Sequence, residues 1–508
     1  MISDEKINVN IIVAHCDGRG IGNNNSIPWK IKKDLSYFMG LTSDTYSNDK
    51  IKNVVIMGRK TYESIPSSFR PLSKRINIVL SKNDPDLSEK KDIEHLNNDL
   101  IYTKSYKDIY DWIIKNRQNI HNVFVIGGSQ IYDDFIWNEK VKKLFDIDII
   151  YKTRIKGKYE CDTKFSMIPS NFFIEDMTPY FYEHKKTHKE YTEEDFNENN
   201  KEDKKDYYKF YFIRYEKKKL EHSEKKYLNM LTNVLTNYSY RMDRTGEGIL
   251  SYFGYHMRYD IHNSFPLLTT KRMFWKGIVE ELLWFLRGDT NVQHLIDKGV
   301  HIWDKNSDRK FLDSIGLNHR KEYDGGPIYG FNFRHFGAKY IDCDTNYEGK
   351  GIDQVSEVLR LIREEPSSRR ILINLWNPSE LKNVCLPACH CMYQFYVDGD
   401  SLSCSMYQRS GDLGLGVPFN IASASLMTYI FAHLTGKYPK ELIHTIGDAH
   451  IYNNHVLAVN EQLEREPTPF PRVRIKSRGQ NKVEDFKFDD FEVYGYEPHP
   501  SIKMDMAV

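Results

Sequence analysis

No sign of charge dominates this 508-residue chain: 72 Lys and Arg stand against 71 Asp and Glu, a formal net charge of +1. No global field therefore draws it to nucleic acid or an anionic membrane, and any anion site has to be built locally. Cysteine is sparse, and an odd count of seven argues against a secreted disulfide scaffold and for a reducing compartment. The opening Met1-Ile2-Ser3-Asp4-Glu5-Lys6 lacks a basic stretch followed by an apolar one, so no signal peptide is read there. Long hydrophobic runs are missing too. The most apolar helical segment, Ile421–Leu434, is short and carries Ser, Thr and His, and no bilayer-spanning helix is expected. There is no repeat at solenoid spacing. What remains is ordinary globular composition, 40% hydrophobic, in enough chain for two to four domains at roughly 150 residues each. The expectation is a cytoplasmic, multidomain protein.

Two stretches of the chain read differently. Ile11–Ala14, Val54–Met57, Ile76–Leu80 and Val123–Ile126 are short aliphatic runs, expected as strands buried on both faces. Helical stretches alternate with them, one of them capped by Ser105, which predicts an α/β domain with a mostly parallel sheet. Residues 183–206 hold nine acidic and six basic residues and no Leu, Ile or Val. That composition predicts a mobile surface insertion without a core. Tyr207–Tyr215 reads as a strand closing a first domain over 1–216, and 217–224 as a short charged junction. From 225 to 508 the pattern is α+β. A helix over Arg272–Arg287 stops at Gly288, Asp353 caps another, and Ile421–Leu434 is a buried central helix. Ile371–Leu375 and Tyr393–Val397 read as strands.

In the first domain, Gly20-Ile21-Gly22 lacks the third glycine of a dinucleotide fingerprint and by itself reads as a turn. Arg59, Lys60 and Thr61 follow a strand at a strand–helix turn, where anions bind readily, and Val125-Ile126-Gly127-Gly128-Ser129 repeats the device. Two such turns on one sheet fit a long ligand anchored twice by phosphate. Asp34, after Ile27-Pro28-Trp29, is either a helix-start acid favoured by the dipole or an active-site carboxylate.

Together these residues resemble dihydrofolate reductase across residues 9–216. The resemblance implies NADPH as cofactor, with Asp34 pairing with the pterin's amidine edge and supporting protonation at N5 while hydride reaches C6. It places Ile12, Trp29, Leu35 and Phe38 around the pterin slot, Thr153 as the residue orienting Asp34, and Arg75 on the folate α-carboxylate. It assigns the cofactor to Ala14, Gly20, Ile21, Gly22, Gly58, Arg59, Lys60, Thr61, Ser64, Leu80, Ser81, Lys82, Ile126, Gly127, Gly128, Ser129 and Tyr132. A cis peptide is implied at Gly127-Gly128.

In the second domain, Cys385, Cys389 and Cys391 fall within seven residues. A metal knuckle lacks its second Cys/His pair at zinc spacing, so no metal is assigned, and buried structural cysteine is another plain reading. Arg369-Arg370 before Cys389, Arg409 after it and Arg244 favour a thiolate nucleophile beside a phosphate dianion.

The stretches 243–246 (DRTG), 280–285 (EELLWF), 302–304 (IWD), 407–412 (YQRSGD), 417–423 (VPFNIAS) and 447–452 (GDAHIY) resemble thymidylate synthase, over 225–508. The resemblance implies that dUMP and 5,10-methylenetetrahydrofolate become dTMP and dihydrofolate. Cys389 adds to C6 of dUMP, Glu281 shuttles protons through water, Tyr329 assists proton removal from C5, and Asp412 orders the site. Arg244 and Arg409 bind phosphate, joined by Arg369 and Arg370 from the second subunit of a homodimer. His390, Gln408 and Ser410 also hold dUMP, Asn420 reads the uracil edge, and His450 and Tyr452 bind the ribose. Trp303, Asn306, Phe419 and Val508 meet the folate, with Met506-Ala507-Val508 as a lid. Three positions depart from the usual pattern: Ala388 in place of proline, Asn332-Phe333 in place of Gln-Trp, and Ala424 where Tyr is frequent.

The two resemblances imply a bifunctional enzyme: an α/β dihydrofolate reductase-like domain followed by an α+β thymidylate synthase-like one. Neither a membrane nor a nucleic-acid partner is expected. Two rivals are a pyrimidine hydroxymethylase, against which Asn420 speaks, and a degenerate binding scaffold, against which Cys389, Asp34 and Glu281 speak.

Overall fold

Aliphatic runs covered on both faces belong at the centre of a parallel sheet, and the four runs of the first half meet there. A computed structural model of the chain describes residues 6–45, 51–81, 93–97, 99–169, 171–199, 204–217, 221–242 and 246–505. It divides into two compact units, Met1–Leu220 and Glu221–Val508. In the first, Ile7–His15 lies parallel between Ile120–Gly127 and Phe145–Lys156. Lys52–Gly58 joins Ile120–Gly127 to Arg75–Leu80, again in parallel. Leu100–Thr103 extends the parallel set beside Arg75–Leu80, and antiparallel strands complete the sheet, eleven strands among the described residues, with Tyr207–Lys217 pairing with Phe145–Lys156. Ser105 caps the helix Tyr106–Asn116, its side chain accepting the Asp108 N–H.

The charged stretch 183–206 corrects the expectation of a coreless, mobile insertion. Phe181–His184 and Glu190–Thr192 form an antiparallel pair at the edge of the sheet, beside Tyr207–Lys217, and the helix Glu193–Asn199 follows. Residues 200–203 lie outside the described residues. Phe196 is 2% exposed and stacks on Tyr182 with centroids 3.9 Å apart, while Tyr191 and Tyr207 meet it edge-on. Aromatic rings make the small core that the absence of Leu, Ile and Val argued against. Glu183 is fully buried.

The junction is corrected in the same way. Glu224 is fully buried, and its carboxylate accepts the N–H and hydroxyl groups of Thr269 and Thr270 at 2.5–3.0 Å. It is part of the second unit's interior, immediately before the helix Lys225–Asn237.

Among the described residues, the second unit is built on a six-stranded mixed sheet. Ser401–Asp412 runs parallel to Tyr438–Tyr452 and antiparallel to His390–Asp398, and Ile249–Asp260 lies on the far side of Tyr438–Tyr452. The helix Gly416–Thr435 packs on this sheet and ends at Gly436 in the left-handed region. It begins five residues before the expected start, with Pro418 inside its first turn, where the missing N–H breaks no helical bond. Among the described residues it is long and apolar enough to cross a membrane, but 72% of its apolar window is buried inside the protein. The helix Trp275–Leu286 stops where Gly288 adopts a φ of 78°. Asp353 caps Gln354–Glu364 by accepting the Ser356 N–H. On the solvent side of the sheet, Met392 pairs across strands with Tyr407, and Tyr396 and Phe253 stand 69% and 77% exposed.

Candidate active sites

Asp34 sits in the first turn of the helix Lys32–Ser43 and is half-buried. Thr153, on the strand Phe145–Lys156, hydrogen-bonds its carboxyl. Burial pushes the Asp34 pKa up to about 6, the Thr153 bond working against the shift and the Glu183 charge adding to it. Ile12 and Trp29 are buried nearby in sequence, and Trp29 Nε1 makes no hydrogen bond among the described residues, a donor available to a polar ligand. Phe38 is half-buried beneath Arg75, whereas Leu35 is 49% exposed. Arg75 is buried and held in place: its Nε donates to the Ser73 carbonyl at 2.9 Å and its Nη1 to Thr42 Oγ1 at 2.7 Å. Burial lowers its pKa, and a rigid guanidinium of this kind suits a carboxylate.

The two glycine-bearing turns come side by side because Met57 pairs with Gly127 across neighbouring parallel strands. Gly58 precedes the helix Arg59–Ser64, and Lys60 is exposed at its start. A Cβ added at Gly127 or Gly128 would lie 3.1–3.2 Å from the Thr61 side chain, so only glycine leaves that cradle open. The Gly127–Gly128 peptide is cis. Ser129 donates to the Lys164 carbonyl, Tyr132 to the Ile12 carbonyl, and Ser64 to the Thr61 carbonyl. Ala14 and Ile126 lie at strand ends, and Leu80 and Ser81 are buried. Lys82 lies outside the described residues. Gly20–Gly22 forms a short strand against Thr163–Lys164, and a Cβ on Gly20 would fall 2.5 Å from Cys161 Sγ. That close approach accounts for a glycine at position 20. Exposed cations at a helix start, next to a glycine cradle bordered by Thr61, suit a dinucleotide phosphate.

In the second unit, Cys389 immediately precedes the strand His390–Asp398 and is half-buried. Its Sγ receives Arg409 Nη2 at 3.8 Å, and the same guanidinium donates to the Ala388 and Pro387 carbonyls at 2.9 and 3.0 Å. The Ala388 departure is therefore harmless to this clamp, which uses the backbone. The Cys389 N–H donates to Tyr329 Oη at 2.6 Å. Burial raises the Tyr329 pKa well above the ordinary tyrosine value. Neighbouring Cys385 and Cys404 are fully enclosed, and burial pushes both thiols up to about 12.

Glu281, on the helix Trp275–Leu286, accepts Trp303 Nε1 at 2.8 Å; burial pushes it up to about 7 despite that bond. Burial lowers His390 to about 4, so the ring is neutral near pH 7. Gln408 donates to Asn420 Oδ1 and to the Ser410 carbonyl, both at 2.9 Å. Burial would raise Asp412, but His455, His450 and the Gly414 N–H hold it below the usual range. His450 and Tyr452 meet edge-on, with ring centroids 5.3 Å apart. Asn306 is buried and Phe419 half-buried. Arg369 and Arg370 stand exposed just before the strand Leu372–Asn374. Arg244 and Val508, with Met506 and Ala507, lie outside the described residues. Asn332 donates to the Pro327 and Ile328 carbonyls, Phe333 stacks on Tyr393, and Ala424 is buried in the central helix.

Three supporting residues carry no signal in the sequence. His444, fully buried and lowered by burial to about 3, bonds Gln408 Oε1 at 2.9 Å. Lys271 reaches the Gly414 carbonyl. His455 faces Asp412 and bonds the Asp505 carbonyl at 2.7 Å, tying down the last of the described residues. Their partners are 36 to 143 residues away, beyond any local pattern. Gly414 lies in their midst: an added Cβ would be 2.6 Å from His455 Nδ1 and 3.2 Å from Met504 Sδ. Gly414→Ala should lower dTMP formation about tenfold or more, about 1.4 kcal/mol of transition-state stabilisation, through misplacement of Asp412 and the tail. Dihydrofolate reduction by the same preparation should be unchanged, which a parallel assay checks.

The dihydrofolate reductase family profile matches residues 8–217 and the thymidylate synthase profile residues 225–508. Together these define an NADPH-dependent oxidoreductase and a nucleotide methyltransferase carried on one chain. Proteins described as bifunctional dihydrofolate reductase-thymidylate synthase are similar over nearly the whole length. That of Zea mays is 42% identical over 527 residues (99% of this chain, 97% of the relative). That of Paramecium tetraurelia is 41% identical over 512 residues (98% of each), and that of Leishmania major 40% over 521 (98% and 95%). The chain belongs to the bifunctional dihydrofolate reductase–thymidylate synthase family. It converts dUMP and 5,10-methylenetetrahydrofolate to dTMP and dihydrofolate, and reduces dihydrofolate to tetrahydrofolate with NADPH.

Proposed function

We propose that the synthase reaction is carried by Cys389, Arg409, Glu281, Tyr329 and Asn420, and the reductase reaction by Asp34. The observation that carries the synthase assignment is the Arg409 guanidinium, which both touches the Cys389 thiol and grips the backbone on either side of Ala388. A guanidinium N–H at the sulfur favours the thiolate, the form that attacks C6 of dUMP. Asn420, its Oδ1 bonded to Gln408, presents a fixed amide to the uracil edge. Glu281, poised near neutrality, holds or gives up a proton in either direction during the turnover. Tyr329, a neutral phenol whose Oη accepts the Cys389 N–H, would assist proton removal from C5 by hydrogen bonding and not as the base itself.

In the reductase unit, NADPH supplies the hydride. Arg59, Lys60 and Thr61 would hold its phosphates, the cations suiting the extra 2′-phosphate. Arg75 would orient the folate through its α-carboxylate. Asp34, with a pKa of about 6, is protonated often enough near neutral pH to support proton delivery to the pterin. The synthase product is the reductase substrate, so both turnovers can be followed on one purified sample, by dTMP formation and by loss of NADPH absorbance.

The proposal extends to a cytoplasmic homodimer. It is supported by the exposed apolar sheet face bearing Phe253, Met392, Tyr396 and Tyr407, and by Arg369 and Arg370, which lie exposed in their own subunit. An isologous pairing would let each site borrow these arginines. Mixing Cys389→Ser with Arg370→Ala after subunit exchange should restore roughly a quarter of the sites, because one site of each heterodimer collects both lesions and the other neither. A mixture that stays inactive despite confirmed exchange would sink the shared-site reading.

A further inference from the structure

The helix that presents Asp34 begins without a side-chain cap of its own, since Ile31 occupies the N-cap position. Its first amides therefore need acceptors from elsewhere. Two of them go to one side chain: the Lys32 N–H donates to Glu183 Oε1 at 2.8 Å and the Lys33 N–H to Glu183 Oε2 at 3.1 Å. Glu183 comes from the charged stretch whose composition suggests a solvated surface, yet its side chain is fully buried. Its place is fixed by register. The strand Phe181–His184 pairs with Tyr207–Lys217, Glu183 opposite Tyr208, and Tyr207–Lys217 pairs in turn with Phe145–Lys156, Phe212 opposite Thr153. Two strands of that array thus contact the same helical turn, Thr153 at Asp34 and Glu183 at the amides just before it.

The charges around this turn decide what Glu183 does. A helix N-terminus ordinarily favours the ionised form of an acid in its first turn, and would make Asp34 a weaker proton carrier. A second carboxylate bound to the same turn opposes that tendency, because like charges disfavour each other's ionisation. The nearby cation does not cancel it. Lys33 Nζ is turned to Glu190 at 2.8 Å and lies over the Phe181 ring. His188 Nδ1 bonds Glu183 Oε1 at 2.8 Å, and Tyr208 Oη receives the Lys30 N–H. On the Asp34 side stand Thr153 and Tyr37, the latter also in the field of Tyr151, Asp176 and Arg214.

We propose that Glu183 is a positioning residue for dihydrofolate reduction, fixing the first turn of the Asp34 helix and holding a negative charge against it. The inference rests on the reading of Asp34 as the group that supports proton delivery. It gives the charged segment a task in the reductase reaction: without Glu183 the carboxyl of Asp34 releases its proton at lower pH, and hydride transfer fails earlier as pH rises.

The test is the pH profile of kcat/KM for dihydrofolate, measured with saturating NADPH so that ligand binding holds each variant folded. Glu183→Gln should move the alkaline midpoint down by about half to one pH unit, the size expected of one partly screened charge. Glu183→Asp keeps the charge with a shorter reach, and should lower stability while leaving the midpoint in place. A Glu183→Gln midpoint equal to that of the wild type overturns the proposal, and a uniform loss of rate at every pH marks Glu183 as structural only. If Glu183→Gln does not fold, the isosteric pair Glu183→Asp and Glu183→Asn decides: a lower midpoint in Glu183→Asn than in Glu183→Asp supports the proposal, and equal midpoints overturn it. Asp34→Asn run alongside separates the two readings. Should it keep the wild-type profile, the Asp34 assignment fails by itself; should it lose the break while Glu183→Gln keeps the wild-type midpoint, only the Glu183 proposal fails.

Discussion

Cys389→Ser abolishes dTMP formation and leaves NADPH-dependent dihydrofolate reduction at its wild-type rate. Serine preserves the volume, the backbone N–H to Tyr329 and the grip of Arg409 on the Pro387 and Ala388 carbonyls. What it removes is the thiolate. A hydroxyl is far too weak an acid for one guanidinium N–H to ionise, so no adduct forms at C6 of dUMP. The expected loss is at least ~10⁴-fold, equivalent to some 5.5 kcal/mol or more of activation free energy. The reductase should not respond, because the two units are separately compact and each has its own core. Assaying both activities on one preparation checks this, and joint loss would count against independent sites.

Asp34→Asn produces the complementary loss, a fall of about 10²-fold or more in hydride transfer that is most severe near neutral pH, with NADPH binding retained. The amide keeps the shape and the Thr153 contact but cannot carry a proton to the pterin. The same substitution should raise stability. Burial has lifted the Asp34 pKa to about 6, above its ordinary 3.8. The wild-type carboxyl therefore contributes fully below about pH 4 and loses that contribution as pH rises through about 6. At pH 7 the unliganded variant should melt a few degrees higher than the wild type, on the order of the shift produced by 1 kcal/mol or less. That difference should vanish as the pH drops below 4. A lower melting temperature at pH 7 would show that the carboxylate is better solvated than its setting implies.

Residues whose partners are close in sequence, or which sit in contiguous motifs, are legible in the sequence alone. Ser105 and Asp353 act as the caps that their spacing announces, three residues from the amide each accepts. Cys389 and Arg409 stand out because a nucleophile needs a cation and the chain places one twenty residues on. Other residues are hidden by the same local logic. Glu183 sits among charges, and composition reads such a stretch as solvated; its burial depends on two amides 150 and 151 residues away. The helix Gly416–Thr435 starts five residues before the apolar run that marks it, and its first turn holds Pro418, which that position tolerates. His444 and His455 carry no mark at all until the strands bring Gln408 and Asp412 to them.

Glu224 bears on where this protein could be divided into two. The last strand of the reductase unit ends at Lys217 and the first helix of the synthase unit starts at Lys225, so a cut anywhere between them looks neutral on paper. It is not neutral chemically. A synthase beginning at Lys225 would leave the N–H and hydroxyl groups of both Thr269 and Thr270 facing an empty acceptor position, each buried donor costing about 1–3 kcal/mol. Lys271, which reaches the Gly414 carbonyl beside Asp412, follows directly on those two threonines. The tether between the enzymes thus ends in a residue that the second enzyme cannot spare, and the separable piece of chain is shorter than the gap between the secondary-structure elements.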